Sequence, residues 1–415
     1  MTYSDFGNKF TRHAGITQLM DDLDEGIRAG DEMIMLGGGN PAQIPEMTEI
    51  FEHHLRNGLD NKSLLSALCN YDAPQGNKAF ISNLAEFLSN EFHWNIKSEN
   101  IALTNGSQSA FFYLFNLFAG KGKNNKKVLF PLAPEYIGYE DSGIDEDLFI
   151  GNKPNIEYLD KRQFKYHVDF DHLHLDQSIG LVCVSRPTNP TGNVITDDEI
   201  SKLSVLAKQH GVPLLIDNAY GLPFPNLVFT DEATPFWDDN TILCLSLSKL
   251  GLPGTRCGVV IAKPETIKAV SNLSGIINLS PGGVGPALAN EMLKDNSLLD
   301  ASNNIIRPFY QRKSQQAINW LQAAIPSTKF KIHKSEGAMF LWLWFEGLAI
   351  SDKELYQALK QKGLLIVPGS YFFPGVSNSW RHTQECIRLN FAQSEANVKQ
   401  GIEILASVVN PLLED

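Results

Sequence analysis

Short apolar runs and longer amphipathic stretches alternate through the middle of the chain. The runs "NIALTNG", "KVLFPLAP", "GLVCVSRP", "VPLLIDNA", "TILCLSLSK" and "RCGVVIAKP" are rich in Val, Ile and Leu and bounded by Gly, Pro or Asn, which predicts strands. A helix is predicted from near Ser107, and another over "DDEISKLSVLAKQHG". Strands alternating with helices predict an α/β domain with a mostly parallel sheet. The nearly continuous apolar character of the strands suits a sheet covered on both faces. This pattern holds over about residues 46–285. After a helix-rich stretch come "GAMFLWLWF", a helix near "DKELYQALKQKG", "LLIVPG", "CIRLNFA" and a last helix. They predict a smaller α+β domain over 286–415, against which residues 1–45 pack.

Length supports this division, since 415 residues exceed what one hydrophobic core usually organises. Net charge is −12, from 35 basic and 47 acidic residues. Such a balance argues against general binding of nucleic acid or anionic membrane, and leaves room for a local basic pocket. The five cysteines, Cys69, Cys183, Cys244, Cys257 and Cys386, form no CxxC pair and read as reduced thiols of the cytoplasm. "MTYSDFGNKFTRH" has no apolar signal core, and "FFYLFNLFAG" and "AMFLWLWF" are too short to span a bilayer, so a soluble, cytoplasmic protein is expected. "KGKNNKK" reads as a solvated turn. His172 and His174 in "HLH" have no further ligand cluster, so no metal is expected.

Polar clusters follow the apolar strands: Gly106 to Gln108, Arg186 to Gly192, Asp217 to Tyr220, and Ser246 to Lys249. Ligands of open α/β sheets bind at the carboxyl ends of the strands, where these clusters would gather. Asp217 follows an apolar run, and a buried carboxylate needs a partner; a helix cap or an ion pair would also serve. Asn189 lies in the stiff loop "SRPTNPTGNVIT". Ser107 and Gln108 open a helix, a place for an anion or for an ordinary serine cap. Neither GxxxxGK[ST] nor GxGxxG is present, so no P-loop or nicotinamide fingerprint is supported. In "SLSKLGLPGTRCG", Lys249 and Arg256 read either as loop cations or as a nucleophile and an anion clamp. Arg388 in "CIRLNF" reads either as a salt-bridge partner or as a carboxylate fork.

Taken in order and spacing, "TNGSQ", "PEYIGY", "NPTG", "DNAYG", "SLSKLGLPGTRCG" and "IRLNF" resemble the fold-type I, class I aminotransferases, which use pyridoxal 5′-phosphate. The likeness spans about residues 70–391. It implies a large domain with a mostly parallel seven-stranded sheet between helices, plus a smaller α+β domain. Lys249 would carry the cofactor through its amine and shuttle the reaction's proton. Asp217 would pair with the ring nitrogen, Asn189 and Tyr220 with the ring's phenolic oxygen, and Tyr136 would stack on the ring. Ser107, Gln108, Ser246, Ser248 and Arg256 would cup the phosphate, with the choice between Ser246 and Ser248 left open. Tyr71 would reach the phosphate of a neighbouring subunit, implying a homodimer with sites at the interface. Arg388 would grip the substrate α-carboxylate, helped by Asn189 and by backbone near Gly39.

"FTRHAGITQLM", "LGGGNPAQIPE" and "ALCNYDAPQG" extend the likeness toward members that exchange an amino group between L-valine and pyruvate, giving 2-oxoisovalerate and L-alanine by a ping-pong route. The expected partners are amino acids and 2-oxoacids, with no nucleic acid or membrane. The selecting pocket would draw on Ile16 to Met20, the loop near Gly39 and the partner subunit. A broad alanine or aromatic aminotransferase, or a lyase, would use the same scaffold. A ligand-sensing regulator of this fold would need a basic DNA-binding module, for which "GGGNP" beginning at Gly37 leaves no expected room.

Overall fold

Residues 2–11, 17, 20–21, 33–122, 125–377 and 379–414 are described by the computed structural model of the chain. Its strands run in chain order: β1 Ile34–Met35, β2 Ile101–Asn105, β3 Lys127–Phe130, β4 Phe149–Gly151, β5 Asn155–Tyr158, β6 Gln163–His167, β7 Ile179–Ser185, β8 Leu214–Asp217, β9 Thr241–Ser246, β10 Cys257–Ile261, β11 Phe330–His333, β12 Phe340–Phe345, β13 Leu364–Leu365, β14 Val367–Pro368 and β15 Cys386–Asn390.

The apolar runs of the sequence assemble into one seven-stranded sheet in the order β2-β10-β9-β8-β7-β3-β4. Strands β9, β8, β7, β3 and β4 are mutually parallel, and β10 alone runs against its neighbours. Side chains alternate between faces along a strand, so a sheet covered on both sides needs apolar residues at every position. Val182, Val184, Leu214, Ile216, Leu243 and Leu245 enter one core. Leu181, Cys183, Leu215, Ile242 and Cys244 enter the other. This accounts for two of the cysteines as small, buried packing groups.

The sheet order fixes where the loops go. Strand β2 is antiparallel to β10, and β10 to β9, so β2 points the same way as β9. The carboxyl ends of β2, β7, β8 and β9 therefore share one edge, at Asn105, Ser185, Asp217 and Ser246. From that edge the helix Ser107–Phe118 starts directly after Gly106. The helix expected over "DDEISKLSVLAKQHG" runs Asp197–Gln209, is capped reciprocally by Thr196 and Glu199 and carries acids in its first turn.

A second, six-stranded sheet has the order β14-β15-β12-β11-β6-β5. Its β5–β6 hairpin lies within 46–285, in a segment that the sequence reading does not name as strand. The reason is local: β5 is largely exposed, so "NIEY" lacks the apolar run that marks a buried strand. Strand β1 pairs in parallel with β13, bringing residues just before Gly37 to the same region. No helix among the described residues is long and apolar enough to cross a membrane.

A buried ion pair joins this second sheet to the loop after β7. Lys165 on β6 and Glu336 are 3% and 2% exposed, and the lysine amine donates to the Glu336 carboxylate. The same amine donates to Asn193 Oδ1 and the Val194 carbonyl, each at 3.1 Å, and Val194 N–H donates to Glu336 Oε2 at 3.2 Å. The loop carrying Asn189 is thereby tied to the second sheet. Removing one member of such a pair leaves the other charge buried alone, so Glu336→Ala is expected to cost about 3–5 kcal/mol in urea unfolding. The double change Lys165→Met, Glu336→Leu is expected to cost less, and equal losses for the two variants would contradict this account.

Candidate active site

The shared edge of the first sheet opens into a cavity of about 190 Å³. Gly39, Ser107, Gln108, Tyr136, Asn189, Asp217, Tyr220, Ser246, Ser248, Lys249, Arg256 and Arg388 all line it. Tyr71 does not; in the single chain it is 83% exposed.

Lys249 leaves the end of β9 and extends over the ring of Tyr220, its Nζ 5.3 Å from the ring centre. The amine donates to the Gly39 carbonyl at 2.6 Å. Burial pushes its pKa down to about 8, assisted by the positive charges of Arg388 and Arg256 and opposed by Asp217. Asp217 ends β8 and is nearly buried. Its Oδ2 accepts from the Tyr139 hydroxyl at 2.5 Å and its Oδ1 from Ala219 N–H at 3.0 Å. Burial still pushes its pKa up to about 6, because these donors and Lys249 offset the desolvation only in part.

Opposite, the first turn of the helix Ser107–Phe118 points free N–H groups into the cavity. Gly106 has φ +80°, and a Cβ there would lie 2.3 Å from Arg256 Nη2, so the guanidinium packs directly on the backbone at the helix start. The Gln108 side-chain amide turns away to the Gly138 carbonyl at 3.0 Å, leaving its backbone N–H for a ligand. Tyr136 lies tight over Gly138, where a Cβ would fall 2.4 Å from the ring. Ser246 Oγ accepts from Ser248 N–H at 3.1 Å.

Arg388 on β15 lies between aromatic rings, 4.1 Å from the centre of Phe340 and 5.0 Å from that of Phe372. It donates to Asn189 Oδ1 at 2.7 Å and to the Gly37 carbonyl at 2.6 Å, while its buried Nε has no partner among the described residues. Burial lowers its pKa to about 10, so it remains a cation at neutral pH. Asn390 Nδ2 holds the Gly38 carbonyl at 2.5 Å.

The donor set fits pyridoxal 5′-phosphate. Hydroxyls, a helix start and a guanidinium gather at one end for a phosphate; a carboxylate faces the middle and a depressed-pKa amine stands nearby. The orphaned Nε of Arg388 leaves a donor for a further anion.

Some site residues were missed at the level of sequence. Tyr139 stands inside "PEYIGY", beside the assigned Tyr136, yet contacts Asp217; Glu135 and Ser185 stand behind it. Nothing in their spacing distinguishes them from core and turn residues. Met20 lines the cavity, whereas Ile16, Gln18 and Leu19 of the suggested selecting segment lie outside the described residues.

The profile of the family described as aminotransferase class I and II matches residues 32–405. A valine–pyruvate aminotransferase of Escherichia coli (strain K12) is 56% identical over 411 residues, covering 99% of this chain and 98% of that one. The crystal structure of a valine–pyruvate aminotransferase from Salmonella typhimurium LT2 is 55% identical and superposes with a TM-score of 0.88, over 95% of this chain and 98% of that one. A solved structure from Psychrobacter arcticum 273-4 gives a TM-score of 0.96 at 46% identity, covering 99% of each chain. Matched along most of its length, and with a cavity whose donors suit this chemistry, the chain belongs to the class I and II aminotransferases.

Proposed function

We propose that this enzyme moves an amino group between L-valine and pyruvate, giving 2-oxoisovalerate and L-alanine in two half-reactions. The reading is carried by one observation: Lys249, Asp217 and Arg388 face a single cavity, in a chain 56% identical to a valine–pyruvate aminotransferase. Pyridoxal 5′-phosphate, the cofactor of this class, supplies when bound a carbonyl for amines and a ring that withdraws electrons.

Ser107, Gln108 N–H, Ser246, Ser248 and Arg256 would hold the phosphate. Asp217 would face the ring nitrogen as a carboxylate and keep it protonated. Tyr136 would cover the ring, and Asn189 and Tyr220 would hydrogen-bond its phenolic oxygen. Arg388, already oriented by Asn189 and Gly37, would bind the substrate α-carboxylate and so place the α-hydrogen near Lys249. Lys249 in its neutral form would take that proton and return it, as general base and then acid. A homodimer in which the partner subunit's Tyr71 completes the phosphate site would give the exposed Tyr71 a role. The five unpaired thiols favour the cytoplasm.

Lys249→Ala is expected to abolish turnover. Borohydride treatment of the wild-type holoenzyme should fix cofactor on the peptide containing Lys249, and label found elsewhere would contradict the assignment. Valine and pyruvate varied together should give parallel double-reciprocal lines.

Arg388→Ala is expected to lower kcat/KM for valine about a hundredfold or more, as two hydrogen bonds to a charged group are lost, with cofactor capture little changed.

The neutral Lys249 amine is the form that captures cofactor, and its pKa is lowered to about 8, so capture should quicken as pH rises through that value. Between pH 7 and pH 9 the neutral fraction, and the stopped-flow capture rate, should increase about tenfold.

A further inference from the structure

Behind Asp217, on the side away from the cavity, lies a second carboxyl group that the proposed mechanism does not use. Glu135 is fully buried at 0% exposure, and no cation pairs with it among the described residues. Its Oε1 accepts from Ser185 N–H at 2.9 Å, and its Oε2 lies 2.5 Å from Ser185 Oγ. Ser185 Oγ is 3.3 Å from the Tyr139 hydroxyl, which is 2.5 Å from Asp217 Oδ2. The result is an unbroken line of oxygens between two carboxyl groups. Phe111, Phe115 and Phe130 pack around Tyr139 with ring centres 5.1–5.6 Å away, so the line runs through apolar surroundings.

Counting hydrogens decides how this line works. Its three oxygen–oxygen contacts need three hydrogens, and the hydroxyls of Ser185 and Tyr139 supply only two. The third must come from a carboxyl group. Were both carboxyls ionised, Ser185 would donate to Glu135 and Tyr139 to Asp217, leaving the middle contact without a hydrogen and Glu135 a buried charge with no cation beside it.

We propose that Glu135 is a positioning residue for the reaction: it shares one proton with Asp217 through Ser185 and Tyr139, and by holding that proton it directs every hydroxyl of the line toward a negatively charged Asp217. In this arrangement Glu135 donates to Ser185, Ser185 to Tyr139, and Tyr139 to Asp217. The opposite arrangement, with Asp217 protonated and Glu135 ionised, differs by three protons each crossing one contact, a net transfer of one proton between the carboxyls. A cationic ring nitrogen at Asp217 selects the first arrangement. The inference rests on the proposed role of Asp217.

The surrounding titratable groups agree. Burial and the nearby Asp217 push Glu135 up to about 8, above Asp217 at about 6. Cys183 and Tyr139 are driven further toward their neutral forms by the same burial and the same carboxylates, and Cys244 by burial and Asp217. Lys249, on the cavity side, lies near Asp217 and favours its charge.

Glu135→Gln tests this, because its amide can donate to Ser185 and accept from Ser185 N–H just as a protonated glutamic acid would. Infrared spectra of the full-length protein, with and without cofactor at neutral pH, should show a protonated-carboxyl band in the wild-type minus E135Q difference that shifts in D2O. No such band would overturn the proposal. By equilibrium titration, E135Q should bind pyridoxal 5′-phosphate within about threefold of wild type, whereas Tyr139→Phe should weaken it about tenfold or more. E135Q weakened as much as Y139F, or Y139F unaffected, would equally overturn it. Failure of the wild-type protein to bind cofactor would instead count against the proposed function, and the infrared spectrum of the cofactor-free protein would still decide the protonation of Glu135.

Discussion

Asp217 carries a charge in a place that disfavours charge. It ends β8, between β7 and β9 at the middle of the larger sheet, and an isolated carboxylate at that depth would take up a proton. The Tyr139 hydroxyl and the Ala219 N–H hold it only part of the way toward ionisation. The charge of Lys249 nearby works in the same direction, and together they offset the desolvation in part.

The sheet brings Lys249 to Asp217 through its strand order. Because β2, β7, β8 and β9 all end at one edge, Ser107, Asn189, Asp217 and Lys249 meet although they are distant in sequence. The smaller sheet adds the remaining cation. Arg388 arrives on β15 between two aromatic rings, and Asn189, which it grips, sits in a loop that Lys165 and Glu336 tie to that same sheet. The Arg388 side of the cavity is thus connected to the loop after β7 by hydrogen bonds rather than merely adjacent to it.

Much of this was legible in the residues. Strands buried on both faces announce themselves as continuous apolar runs, and the helix after Gly106 by the abrupt change of period. Ser107, Asn189, Asp217 and Lys249 were legible because each follows such a run, whereas Arg256 and Arg388 were read from the ordered set of motifs. The β5–β6 hairpin was not: β5 is an exposed edge with no apolar signature, β6 interrupts its buried Phe164 and Tyr166 with Lys165, and the hairpin's membership of the second sheet depends on contacts far along the chain. Glu135, Ser185 and Tyr139 were hidden for a different reason. A glutamate, a serine and a tyrosine next to prolines look like turn residues until a fold buries them, and only the three-dimensional arrangement shows that their oxygens line up. Tyr71 stays outside the cavity of one chain.

The ribbon from Gly37 to Gly39 joins the two halves of this arrangement. Its successive carbonyls accept from Arg388, Asn390 and Lys249, two of which stand on β15 and one at the end of β9. The moorings are unequal: the first two come from buried side chains on β15, the third from an amine that lines the cavity. Whatever draws that amine away unties the Gly39 end of the ribbon and leaves the Gly37 end fast.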